Sequence, residues 1–155
     1  MYEAYKFVHV LGVILLVGNV TVTSVWKVFA DRSGEPRTIA FAHRLVVGTD
    51  WAFTGGGAAL VIVGGYAMAF EAGIPLAGFG WMLWSQVAFV ASGALWLAVL
   101  LPIQVRQSRL TRRAPAEGAL SGAYRRLARR WILWGVIATV PLAAALWMML
   151  AKVPR

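Results

Sequence analysis

Residues 7–26, 51–70, 72–105 and 131–151 contain no Asp, Glu, Lys or Arg, and the charges of the chain fall in the gaps between these runs. A helix rising about 1.5 Å per residue needs about 20 apolar residues to cross a hydrocarbon core of about 30 Å. Each run meets that length. A helix of a water-soluble domain would instead alternate an apolar face with a charged one. The pattern predicts an all-α, polytopic membrane protein: an antiparallel bundle of four transmembrane helices forming one domain over residues 1–155, with spans at about 4–29, 40–70, 80–105 and 124–151.

Composition supports lipid as the solvent. The chain is 60% hydrophobic and 14% charged, too apolar for a soluble domain of this length. Its net charge of +9 is not the mark of a nucleic-acid partner, because nearly every Arg lies beside a predicted span. Such residues orient a membrane protein and meet anionic lipid headgroups. The absence of cysteine excludes disulfides, thiolate metal sites, iron–sulfur clusters and covalent c-type haem. The run from Phe7 to Trp26 is longer than a signal-peptide core, with Lys6 the only basic residue before it, so a first span is expected.

Turn chemistry divides the spans. A polar loop is expected at Asp31–Arg37, with Gly34 and Pro36 as breakers, and an apolar turn at Ala72–Gly78. The third span is expected to continue as a basic helix through Arg113, followed by a loop over Ala114–Ser121. Lys27, Arg32, Arg37 and Arg44 flank the first loop, and Arg106, Arg109, Arg112, Arg113, Arg125, Arg126, Arg129 and Arg130 flank the third. The second loop has no basic residue. The positive-inside rule then puts loops 1 and 3 in the cytoplasm and both termini outside, in a bacterial inner membrane.

Function must be sought in the few polar groups within the apolar runs. His9 lies one to two turns inside the outer end of span 1. Three roles compete for it: axial haem ligand, proton-relay group, or hydrogen-bond partner of a neighbouring helix. Lys6, one turn earlier on the same face, either pairs with a ligand carboxylate or anchors at the headgroups. At the depth of His9, span 2 offers Gly64, Gly65 and Tyr66, and span 3 offers Ser85 and Gln86. The paired glycines leave room for a flat macrocycle or let two helices pack closely.

Asp50 is the acid inside a span, and Asn19 should lie at its depth. Thr54 and His43 share its helix face. These residues form either a proton path through His43, Asp50 and Asn19 or a structural polar clamp. His9 and His43 differ in depth by roughly 20 Å at about 1.5 Å per residue, so they cannot share one iron within a chain. No metal-binding cluster, nucleophile elbow, phosphate loop or nucleotide fingerprint occurs.

The run from Tyr5 to Gly12, Leu16–Thr21, Lys27–Arg32, Pro102–Gln107 and Arg129-Arg130-Trp131 resemble a family of small bacterial integral membrane proteins with no assigned function. The resemblance covers essentially the whole chain and implies a four-helix inner-membrane protein. A more distant similarity is to the HemJ-type protoporphyrinogen oxidases, four-helix proteins that bind haem b. Lys6 and His9 match the Lys-x-x-His motif of their first span, and Leu150–Pro154 is similar to their Lys-Pro ending. Their third span carries a lysine shortly after a tryptophan. Here Trp81 is followed by Met82, Leu83, Trp84, Ser85 and Gln86. The resemblance therefore implies haem b or porphyrin binding at His9 and does not carry the oxidase activity; from the placement of the residues, Lys6 is expected on a propionate and Trp81, Trp84 or Tyr66 beside the ring. The competing class is a non-enzymatic membrane component: an accessory subunit in a larger complex, a scaffold, or a small transporter. Transport through four spans would require a homo-oligomer.

Overall fold

The computed structural model describes residues 1–78, 80–117 and 120–154, and the side chains of 113–117 are not part of that description. The described residues are almost entirely helical: α1 (Tyr2–Ser33), α2 (Pro36–Thr49), α3 (Gly56–Glu71), α4 (Trp81–Leu95), α5 (Leu101–Glu117) and α6 (Gly122–Ala151). A π-helical turn, Asp50–Gly55, joins α2 to α3, and a second, Trp96–Leu100, joins α4 to α5. Four continuous helices result, Tyr2–Ser33, Pro36–Glu71, Trp81–Arg112 and Gly122–Ala151, each long and apolar enough to cross a membrane.

The helices outrun the expected spans because their ends are capped locally. The expected seven-residue loop at Asp31–Arg37 shrinks to Gly34 and Glu35. Gly34 ends α1 with φ of 67°, a left-handed conformation that suits glycine. Glu35 then caps α2 by accepting a hydrogen bond from the Thr38 amide, with Pro36 in the first helical position. The last turn of α1 is held by the Lys27–Asp31 pair. Helix α5 runs on to Glu117 rather than ending at Arg113; within the expected loop over Ala114–Ser121, Gly118 and Ala119 lie outside the described residues. Ser121 caps α6 through the Tyr124 amide at 3.3 Å.

The helices fall into two compact units. In the first, α1 packs antiparallel along α2, the first π-turn and α3. The half away from the α1–α2 connection is built on backbone contact. A Cβ added at Gly12 would lie 2.7 Å from the Gly57 carbonyl oxygen, and one at Gly57 would lie 2.9 Å from the Gly12 oxygen. Close approach of this kind is how helices associate where lipid supplies no hydrophobic drive. In the second unit, α4 and the second π-turn pack on α6. The buried Ser92 hydroxyl donates to the Ala138 carbonyl at 2.8 Å. At the far end, the Trp81 amide donates to the Pro154 carbonyl at 2.7 Å, and the Lys152 ammonium lies 3.6 Å from the Trp81 ring centroid.

Candidate functional site

The polar groups of the first unit gather where α2 gives way to the π-turn. Asp50 opens that turn and is 6% exposed. From α1, the Asn19 side-chain amide donates to Asp50 Oδ1 at 2.9 Å and to Thr54 Oγ1 at 2.9 Å. The Thr54 hydroxyl, also buried, makes a longer contact of 3.4 Å to the same carboxylate oxygen. One amide nitrogen thus ties together two groups that lie four residues apart on the partner helix. A π-turn holds one more residue than an α-turn, and such turns recur at functional sites. Here Thr49 Oγ1 bonds back to the Leu45 and Val46 carbonyls just before the turn, at 2.9 and 3.2 Å.

Below this node, buried polar residues continue toward the α1–α2 connection. On α1 polar residues recur every fourth position, Asn19, Thr23, Lys27 and Asp31, of which Thr23 and Lys27 are buried and the other two half-buried. Thr23 is buried, its hydroxyl donating to the Asn19 carbonyl at 2.7 Å. Lys27 is 2% exposed and holds Asp31 at 2.7 Å. Lys27, counted by sequence among the charges that flank the first loop, is thus buried, with its ammonium on a carboxylate one turn ahead. On α2, His43 is buried on the face that leads to Asp50. Asn19, Asp50 and Thr54 are therefore brought into contact, and His43 lies two turns from Asp50 along its own helix.

His9 is half-buried near the other end of α1. Its Nδ1 lies 2.9 Å from the Val61 carbonyl oxygen of α3. That contact assigns the Nδ1 proton and leaves the lone pair on Nε2, the arrangement that backbone carbonyls impose on metal-binding histidines. The surroundings fit a flat macrocycle less well. A Cβ at Gly64 would meet the His9 backbone nitrogen at 2.6 Å and the Tyr5 oxygen at 2.8 Å, and one at Gly65 would meet His9 Nδ1 at 3.0 Å. The space beside both glycines is filled by α1 and by the imidazole itself, so they serve close packing. Lys6 lies 3.7 Å from Glu3 on the surface of its own helix. Tyr66 is exposed. In the second unit, Gln86 Nε2 donates to the Leu76 and Met82 carbonyls at 2.9 and 3.1 Å, and the Ser85 hydroxyl donates to Met82. Among the described residues, no group of three or more His, Cys, Asp or Glu side chains is placed to hold a metal ion.

The Asn19–Asp50–Thr54 contact is readable from residue types and depth. The buried Lys27 is less so, although the Lys27–Asp31 spacing is its one sequence signal. The π-turn has none that distinguishes it from a glycine-rich α-helix.

Over residues 3–153 the chain matches a family model described as a predicted integral membrane protein, DUF2269. No curated protein and no solved structure matches it.

Proposed function

Because the chain belongs to the DUF2269 family of predicted integral membrane proteins, we propose that it works inside the bilayer, as a proton-linked membrane component centred on Asp50. The observation that carries this reading is a buried carboxyl at a π-turn, held across the helix interface by Asn19 at 2.9 Å. Ionisable residues within spans are expensive and mark proton relays and ion paths. The Asn19 amide donates equally well to a carboxylate and to the carbonyl oxygen of a carboxylic acid. The node therefore keeps its interhelical bond in both protonation states, which a proton-exchanging group between packed helices requires. Four spans leave little room for alternating access within one chain, so a transport role belongs to an oligomer of this chain.

The test is a difference infrared titration in lipid, from about pH 2 to pH 10, which brackets ordinary carboxyl titration on both sides. The expected result is a carboxylic-acid C=O band that appears as pH falls in the wild type and is missing in Asp50→Asn. Identical spectra for the two proteins would overturn the reading.

A second reading, haem b on His9 at the outer end of α1, is favoured by the Nδ1 contact to the Val61 carbonyl, which leaves Nε2 available to iron. The ring would have to lie away from Gly64 and Gly65, whose space α1 occupies. A Soret band in protein purified from haem-replete membranes, lost in His9→Ala, supports it; no such band removes it.

A further inference from the structure

The first helix pair is built differently on the two sides of Asp50. Toward the α1–α2 connection, polar groups are buried among the apolar Ala30, Ile39, Ala40 and Val46: Thr23 and Lys27 on α1 and His43 on α2, with the partly exposed Asp31 nearer the mouth. The α1 row steps by four residues, so it runs along one face of the helix. From Asn19 to Asp31 it covers about 18 Å at about 1.5 Å per residue, the distance from the middle of a bilayer to its surface. On the other side of Asp50 the same interface is closed by backbone. Gly12 and Gly57 lie against each other, with the Gly57 oxygen 2.7 Å from where a Gly12 Cβ would be and Leu16 N 2.9 Å from a Gly57 Cβ. Gly64 repeats the contact two turns further out, against the His9 backbone. No water fits between helices at such separations.

We propose that Asp50 exchanges its proton with one side of the membrane only, the side of the α1–α2 connection, along the row formed by Thr23, Lys27, Asp31 and His43. This rests on the reading of Asp50 as a protonation centre and adds its sidedness. The flanking Lys and Arg assign that side to the cytoplasm. The proton passes from water at the Asp31 end to a carboxylate oxygen of Asp50 and returns the same way, with no other bond made or broken. The other ionisable groups on elements packed against Asp50 are Tyr2, Glu3, Tyr5, Lys6 and His9 on α1 and Tyr66 and Glu71 on α3, all beyond the glycine contact, and Arg32, Arg37 and Arg44 on the side of the α1–α2 connection.

The experiment uses full-length protein in vesicles of uniform orientation, with the two aqueous pH values set independently. The probe is dicyclohexylcarbodiimide, which attacks protonated carboxyls within membranes; mass spectrometry reads the modification of Asp50. The expected result is a labelling rate that follows pH on the α1–α2 side and ignores pH on the other. Thr23→Val, which removes a hydroxyl at nearly constant volume, should slow the response to a pH jump on the α1–α2 side by about a hundredfold, the low end of what a positioned proton-transfer group contributes. A rate that follows the opposite side, or both sides equally, overturns the sidedness and leaves Asp50 as a protonation centre. An unchanged response in Thr23→Val removes the assigned path. A rate independent of pH on both sides defeats the underlying reading itself.

Discussion

The Asn19 amide reaches Asp50 across the α1–α2 interface at 2.9 Å and places the second bond of the same nitrogen on Thr54. Two crossings that are joined elsewhere by apolar and glycine contacts and by the His9–Val61 bond are thereby pinned at one level. A polar bond in this setting contributes less than hydrocarbon burial alone would suggest, because an unfolded helix in lipid also finds partners.

The pair is measurable as a coupling energy. A double-mutant cycle of Asn19→Leu and Asp50→Leu, read from denaturation in mixed micelles, should give about 0.6 to 1.7 kcal/mol, the range known for interhelical hydrogen bonds in membranes. Additive effects of the two substitutions would show that the contact does not hold the helices together.

The glycine contacts predict a steep position dependence. Gly57→Ala puts a methyl group within 2.9 Å of the Gly12 oxygen, and Gly64→Ala puts one within 2.6 Å of the His9 nitrogen. Both neighbours are backbone and cannot rotate away, so each substitution should cost about 1–3 kcal/mol as overpacking and lower the thermal midpoint in detergent. Gly18→Ala, with nothing within 4 Å, should leave the midpoint unchanged or raise it slightly.

Glu35 predicts a pH dependence at the start of α2. The Thr38 amide that it caps, with the Arg37 amide, holds its carboxyl below the usual carboxylate range. A depressed folded-state pKa means that the cap is at full strength above the unfolded value of about 4.3 and is lost as pH falls through the lower folded value. Hydrogen exchange in the first turn of α2, corrected for intrinsic rates, should accelerate on acidification in the wild type. In Glu35→Gln the corrected rates should be flat with pH.

Orientation is the fourth measurable expectation. The basic residues cluster at the α1–α2 and α5–α6 connections, so both termini should lie outside the cytoplasm. A C-terminal reporter that works only in the cytoplasm should be silent, and a strong signal from it would invert every inside and outside assigned above.

The four crossings and the Asn19–Asp50–Thr54 contact were legible in the sequence because lipid makes each polar residue rare, and depth alone then pairs them. Residues whose role depends on what fills the next ångström were not. Gly64 and Gly65 read equally as room for a ligand or as a packing seam, and only the position of the α1 backbone separates the two. Lys27 reads as a flanking charge until its ammonium is seen on Asp31. The π-turn at Asp50–Gly55 leaves no composition signal, because a single additional residue changes the phase of a helix and not its hydropathy. Helix ends ran past their expected limits where a local cap, as at Gly34, replaced a longer loop.

The two-residue link at Gly34 and Glu35 also bears on how the protein is made. The second crossing carries Asp50 and is the costlier one to transfer into lipid alone, since an acid at mid-span costs about 2.5–3.5 kcal/mol on insertion scales. A connection this short leaves the nascent first crossing beside it, with the Asn19 amide already at the right depth to receive the carboxyl. The hairpin is thus the unit of biogenesis: the second crossing should partition inefficiently when synthesised without the first, and regain efficiency when the first is supplied, provided that it still carries Asn19.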